Sequence, residues 1–440
     1  MLSSRLLCWR RAMVIAGRSL TCVILTCLYL FWHPSGQLEN FDLSFEYSPA
    51  LAVSSAKEPL ASVRDWRTLI PDVFVYAAHM ASPEAFGQEL HITAITKLYD
   101  TSRCFCTYPS SSKNASSLRN VTERAILENL WERHNLFRTA SRFRCPLPSS
   151  PVPFQKVGLT CKSKNTPKRE GFVEFLLSGR CLNSTIKEFS IALCVGSSLR
   201  GKYSDDPSSV IEFVEYHRIL GVDKFFFYIT DVSTRVLRVL EHYERTGVAE
   251  LMNWTLPFKA ERIHYFGQVA LINDCFLRTS SRWDFTGHLD LDEYVATTNS
   301  DGLRGALRDS KADWLLLRTC VVRDPVPRNL AANEVNNSSE NLHVSKIGGV
   351  RQRSTYVFPE SARTKYFCRS RKVVFFGVHS VSGMVPGCAA MAAKPEETLL
   401  FHFRPEIDSM VEVVEDRRAS AAAAQAAVNM AAVRNELGLV

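Results

Sequence analysis

Between Phe189 and Val295 two kinds of segment alternate, and this alternation restricts the fold more than any other feature. SIALCVG (190–196), VDKFFFYITD (222–231), VAELMNW (248–254) and WDFTGHLDLDEYV (283–295) are short, apolar and rich in β-branched and aromatic residues. Such runs read as strands, and continuous apolar ones as strands buried on both faces. The intervening segments 208–221, 233–247 and 261–280 carry apolar residues at helical spacing, and the first two close on Gly221 and Gly247. Strand and helix in strict turn predict an α/β fold, a mostly parallel sheet flanked by helices, over residues 187–409. Neither GxGxxG nor GxxxxGK[ST] occurs in this region, which argues against a dehydrogenase or a P-loop enzyme.

The rest of the chain divides around that core. Residues 1–11 contain Arg5, Arg10 and Arg11, and residues 12–32 are largely apolar with Arg18 near one edge. A basic tail before about 20 apolar residues predicts a transmembrane signal-anchor with its N-terminus in the cytosol, a cleaved signal peptide being the competing reading. Residues 33–71 lack a firm period and read as a stem. Residues 72–186 read as a β-rich module, with DVFVYAAHM, LHITAITKLYD, RCFCTYP and GFVEFLLSG as strands and TERAILENLWERH (122–134) as a helix. The Ala-rich residues 410–440 read as a helix or frayed extension. Sequons at Asn114, Asn120, Asn183, Asn253, Asn336 and Asn337 fit a secretory route, as do ten cysteines beyond the apolar run. The net charge of +8 is scattered, so no nucleic-acid partner is expected.

Within the fourth strand, Asp290, Asp292 and Glu293 crowd an otherwise apolar stretch. Ligands in open α/β sheets bind beyond the C-terminal strand ends. On an extended strand Asp290 and Asp292 share a face, so both carboxylates can approach one hard cation, Mn²⁺ or Mg²⁺, held jointly with a diphosphate. Accidental acids in a surface turn are the plainer explanation of the same residues.

Several stretches together resemble glycosyltransferase family 92: VFVYAAHM (73–80), IEFVEYHRILGVDKFFFYITD (211–231), GQVALINDCFLR (267–278), WDFTGHLDLDEYV (283–295) and LLFHFR (399–404). The resemblance implies a nucleotide-diphosphate-sugar transferase fold of the A type in a single-pass type II Golgi membrane protein. It also implies inverting transfer of a hexose, notably galactose from UDP-galactose, onto a glycan or polysaccharide acceptor. A catalytically inactive carbohydrate-binding protein on the same fold is the alternative, and the oligomeric state is not readable.

By the same resemblance Asp231 lies near the donor, although it or Ser233 equally serves as cap for the following helix. Gln268 and Arg278 match the family pattern as donor or acid-network contacts, with structural pairing the plainer reading of both. Lys365 and Arg369 match it as a basic patch for the phosphates or a solvated basic strand. The third metal ligand is expected to be His402, with His379 the rival, and Arg404 shares the His402 face as a diphosphate grip. Glu212 and Glu215 are three apart on a helix, which allows one of them a solvent face. Inversion needs a carboxylate base. Asp324 is the accessible acid in CVVRDPVPRN, a segment that departs from the family pattern, and Glu293 is the second choice.

Overall fold

The computed structural model describes residues 65–440 except 88, 99, 101, 110–119, 131, 133–135, 149–154, 164–169, 178–184, 324–344, 351, 361, 405–411 and 440. The expected tail, anchor and most of the stem lie outside the described residues. Among the described residues no helix is long and apolar enough to cross a membrane. Of the sequons, Asn120 and Asn253 are described, and both are exposed.

The N-terminal module is built of two antiparallel sheets. One orders its strands Arg67–Ile70, Val73–Met80, Glu89–Lys97, Arg138–Pro146, Ile126–Asn129. The other orders Val121–Arg124, Arg103–Tyr108, Lys156–Lys162, Glu170–Leu176. Val75, Ile92, Phe143, Leu159 and Phe175 fill one apolar cluster with residues of both sheets. Cys104–Cys161 crosses neighbouring strands, and Cys106–Cys145 joins the two sheets. The module starts earlier than expected, since Arg67–Ile70 pairs with the strand at Val73.

The helix expected over 122–134 is absent. Val121–Arg124 pairs in one sheet and Ile126–Asn129 in the other, with the crossing at the buried Ala125. Backbone pairing with preformed neighbours overrides local helical spacing, and that spacing buries little here, since Ile126 is exposed.

Labels below number the elements of the α/β half. β1 (Ile191–Val195), α1 (Pro207–Ile219), β2 (Lys224–Ile229), α2 (Thr234–Arg245), β3 (Ala249–Asn253), α3 (Gln268–Thr279) and β4 (Phe285–Leu289) reproduce the expected alternation. β3, β2, β1 and β4 lie side by side and parallel. Asp206 caps α1 by accepting from the Ser208 and Ser209 amides, and Gly221 and Gly247 take the left-handed φ that ends α1 and α2. The third helix starts at Gln268, later than its spacing suggests, because Tyr265, Phe266 and Gly267 are all left-handed.

After β4 come β5 (Glu293–Thr297), α4 (Gly302–Ser310), β6 (Trp314–Leu317), β7 (Thr319–Arg323), β8 (Lys365–Arg369), β9 (Ala390–Ala392) and β10 (Thr398–Arg404). β8 inserts antiparallel between β4 and β6, extending the large sheet to the order β3-β2-β1-β4-β8-β6-β9. A second sheet runs β5-β10-β7. The segment read as one strand over 283–295 is therefore two strands in different sheets. A turn separates them, closed by the Glu293 amide donating to Asp290 O at 3.0 Å.

The C-terminal helix α5 (Ser420–Leu437) is docked rather than frayed. Ala423, Ala426, Met430 and Val433, at spacings of three and four, are buried on one face, and α5 packs on α1. The small alanines let the two helices approach closely. The N-terminal module is joined to the large sheet by aromatic rings. Trp254 meets Tyr76 at 4.8 Å, Trp66 at 5.0 Å and Tyr228 at 5.1 Å, and Tyr76 Oη donates to Asn253 O at 2.7 Å. Cys194–Cys275 pins α3 to β1.

Candidate active site

The parallel strands end on one edge, and there the turn Asp290–Glu293 leaves β4. Asp290 and Asp292 thus stand in a turn, not on one extended strand, and convergence comes from the turn closing on itself. Glu293 Oε2 accepts from the Asp290 amide at 2.9 Å, which fixes the turn from inside. β8 runs antiparallel to β4 with Arg369 opposite Phe285 and Phe367 opposite Gly287, so Lys365 arrives level with the turn. Its ammonium, fully buried, donates to Asp290 Oδ2 at 2.9 Å and lies 3.3 Å from Glu293 Oε2.

The charges are mutually dependent. Burial disfavours the Lys365 ammonium, but Asp290 and Glu293 outweigh it and hold its pKa above the ordinary value. Burial pushes the Asp290 carboxyl up, and Lys365 more than reverses this, so Asp290 stays ionised. For Glu293 burial wins over Lys365, with Asp290 and Asp292 adding to it, and the carboxyl rises to about 8. A nearly buried acid that already holds the turn is poorly placed to deprotonate an acceptor.

β10 supplies the histidine. His402 is register-paired with Glu293, its Nε2 3.7 Å from Asp292 Oδ1 and its Nδ1 3.9 Å from Glu293 Oε1. Burial lowers its pKa to about 4 against the pull of Asp292, so the imidazole is neutral and can offer a lone pair. The rival His379 is exposed, its Nδ1 3.4 Å from Thr364 O. Arg404 ends β10 exposed, opposite Arg323 of β7.

The segment after β1 closes the other side. The Gly196 amide donates to Leu289 O at 2.8 Å, and a Cβ at Gly196 would lie 2.9 Å from His288 Nδ1 and 3.1 Å from Asp290 Oδ1. Only a glycine lets β1 pass this close to the acid. Tyr203 stands beside Asp292, and burial together with that carboxylate holds its phenol well above the usual range. Neither Gly196 nor Tyr203 was legible as a site residue, since both reach the turn through sheet register.

Other expected residues fall elsewhere. Gln268 donates to Gly196 O at 2.9 Å, supporting the site from behind instead of touching a donor. Arg278 is salt-bridged to Asp274 at 2.9 Å, and Asp274 also takes hydrogen bonds from Tyr228 at 2.6 Å, Thr93 at 2.9 Å and His79 at 2.9 Å. This buried network ties α3 to the N-terminal module, so Arg278 is structural. Arg369 pairs with Asp284 at 2.8 Å and Asp313 at 3.3 Å, at the end of β8 opposite to Lys365, and does not extend the site. Asp231 is exposed at the end of β2, and Ser233, accepting from the Val236 amide, caps α2. Glu212 and Glu215 are both fully buried, so neither takes a solvent face. Glu212 accepts from Ser345 Oγ at 2.6 Å, and Glu215 from Arg218 at 2.9 Å and Tyr243 Oη at 3.0 Å. Asp324 lies outside the described residues.

Among the described residues no three or more His, Cys, Asp or Glu side chains converge closely enough to hold a metal by themselves. The donor set nevertheless fits part of a shell. A carboxylate and a neutral imidazole 3.7 Å apart, too far for a hydrogen bond, leave room for an ion between them. Asp290 shares its charge with Lys365, so a divalent cation here requires further oxygens from a ligand.

The family model of glycosyltransferase family 92 matches residues 190–425, more than half of the chain and nearly all of the α/β half. A beta-1,4-galactosyltransferase of Caenorhabditis elegans, galt-1, is 25% identical over 183 residues, 40% of this chain and 42% of that protein. The galactan beta-1,4-galactosyltransferase GALS1 of Arabidopsis thaliana is 31% identical over 118 residues, 26% of this chain and 23% of that protein. The matched segments thus span less than half of either relative. A solved structure of S. aureus TarS 1–349 with UDP aligns over 49% of this chain and 60% of that one, at 11% identity and a TM-score of 0.29. The extent of the family match is decisive: the chain belongs to glycosyltransferase family 92.

Proposed function

We propose that the chain transfers a hexose, galactose from UDP-galactose, with inversion onto a glycan or polysaccharide acceptor. The observation that carries this reading is the turn Asp290–Asp292 at the C-terminal edge of the parallel sheet, faced by neutral His402. Membership of the family and the two galactosyltransferase relatives support the sugar and the enzyme class. Asp292, His402 and Asp290 would hold Mn²⁺ or Mg²⁺ together with the donor diphosphate. Such an ion, when bound, supplies positive charge to the departing phosphate. Lys365 keeps Asp290 ionised and in place, Glu293 holds the turn shut, and Arg404 reaches the phosphates. Asp324, directly after β7, serves as the base that takes the acceptor proton. The basic, apolar N-terminus supports a single-pass type II topology with the catalytic half in the Golgi lumen.

The test is turnover by the purified chain of a panel of UDP- and GDP-sugars, each with Mn²⁺ and with a chelator. Release of UDP from UDP-galactose only with metal is expected. Full activity in chelator would remove the metal role, and no turnover of any nucleotide sugar would favour the binding-protein reading.

A further inference from the structure

Resting on that transferase reading, we propose that Arg200 is a contact for the donor diphosphate, presented by the rings of Phe266 and Tyr265. The segment from Gly196 to Tyr203 wraps the acid turn, touching it at both ends. Gly196 and Ser197 lie against Asp290, and Tyr203 lies beside Asp292. Arg200 falls between these two anchor points. Its guanidinium lies 3.5 Å from the Phe266 ring centroid and 5.5 Å from that of Tyr265.

Arg200 is half-buried, and its Nε is buried without a hydrogen-bond acceptor. Among the described residues no carboxylate forms an ion pair with it. Several other arginines of the α/β half do have an acid: Arg218 has Glu215, Arg278 has Asp274, Arg304 has Asp223 and Arg369 has Asp284. Ring faces compensate a desolvated cation only in part. A guanidinium left with open donors at the edge of a sheet suits a planar fork of phosphate oxygens.

The backbone beneath it is strained. Tyr265 (φ 46°, ψ 48°) and Phe266 (φ 57°, ψ 30°) are both left-handed and precede Gly267 at φ 77°. Two successive bulky residues in this region are costly, and such strain persists only where the surroundings impose it. Here the next residue, Gln268, is tied to Gly196 O, so the ring pair and the acid turn are parts of one locked unit. Lys365 is already committed to Asp290 and Glu293, so an incoming diphosphate needs another cation, and Arg200 supplies it.

The experiment compares binding of UDP, by calorimetry with Mn²⁺, and of uridine, by saturation-transfer NMR, to the full chain and to Arg200→Met, Arg200→Lys and Phe266→Leu. Melting temperatures are recorded for each as the check on folding. Arg200→Met should weaken UDP tenfold or more and leave uridine unchanged, with Arg200→Lys in between. Phe266→Leu, which acts only by positioning, should weaken UDP less than Arg200→Met and again spare uridine. UDP affinity unchanged in a folded Arg200→Met, or UDP and uridine weakened equally, overturns the assignment while the transferase reading stands. A native chain that binds no nucleoside diphosphate overturns both.

Discussion

The Lys365 ammonium sits 2.9 Å from Asp290 Oδ2 and 3.3 Å from Glu293 Oε2, a buried cation on the inner side of the acid turn. It lets three acids crowd one turn, because without it the ionised, desolvated Asp290 would lack its counter-charge. Replacing Lys365 with methionine keeps most of the volume and removes the charge. The expected cost is about 3–5 kcal/mol, that of leaving a buried ion pair half broken. Urea unfolding measures it, and adding Asp290→Asn to Lys365→Met should restore part of the loss. A Lys365→Met variant as stable as the parent would mean the carboxylates are hydrated and the ammonium dispensable.

The placement of the two histidines separates their roles. His402 shares the face of Asp292, whereas His379 is exposed and turned toward Thr364 O. His402→Ala is therefore expected to raise the Mn²⁺ concentration for half-maximal UDP binding by tenfold or more, and His379→Ala to change it by less than twofold. Calorimetric titration of UDP at several Mn²⁺ levels reads this directly. The reverse order of effects would transfer the metal to His379.

The contrast between these residues shows where sequence reasoning has purchase. The alternation over 189–295 reports the sheet because β1, β2 and β4 are buried on both faces and α2 on one, so burial is written locally. The acids of 290–293 are visible for the same reason, as charges where apolar residues should be. Arg278 and Arg369 look equally eligible in sequence, yet their carboxylate partners, Asp274, Asp284 and Asp313, depend on helix phase and strand direction. The insertion of β8 antiparallel beside β4 puts Lys365 at the site and Arg369 at the far end, and no local pattern encodes that choice. Arg200 is hidden for a related reason: its significance is that no acid among the described residues pairs with it.

His217 gives the fold an acid-sensitive element. It is fully buried, Nδ1 donating to Phe213 O at 2.8 Å and Nε2 accepting from the Val295 amide at 3.5 Å, which suits only the neutral ring. Burial lowers its pKa from 6.5 to about 4. The unfolded chain takes up this proton below about 6.5 and the folded chain only near 4, so stability falls as pH drops through that window and levels off below it. The full effect is on the order of 3 kcal/mol for a shift of this size. Buried His91, also lowered to about 4, acts in the same direction. His217→Gln should lose baseline stability but show a shallower decline between pH 6.5 and 4 in urea titrations. An unchanged pH slope would assign the acid sensitivity elsewhere.

Arg278 provides the sharpest contrast between a matching motif and an actual contact. Its guanidinium is committed to Asp274, which also binds Tyr228 of β2, Thr93 of the N-terminal module and His79 of the strand beside it. Loss of Arg278 leaves a fully buried carboxylate with only neutral hydrogen-bond donors, at an expected cost of about 3–5 kcal/mol. Arg278→Met should therefore unfold at markedly lower urea and loosen the join between module and sheet, seen as faster amide exchange in both. The surviving folded protein should keep the parent's KM for the nucleotide sugar, because the arginine faces a structural acid and not the donor. A variant with parental stability and a KM raised tenfold would reverse this placement and return Arg278 to the binding site.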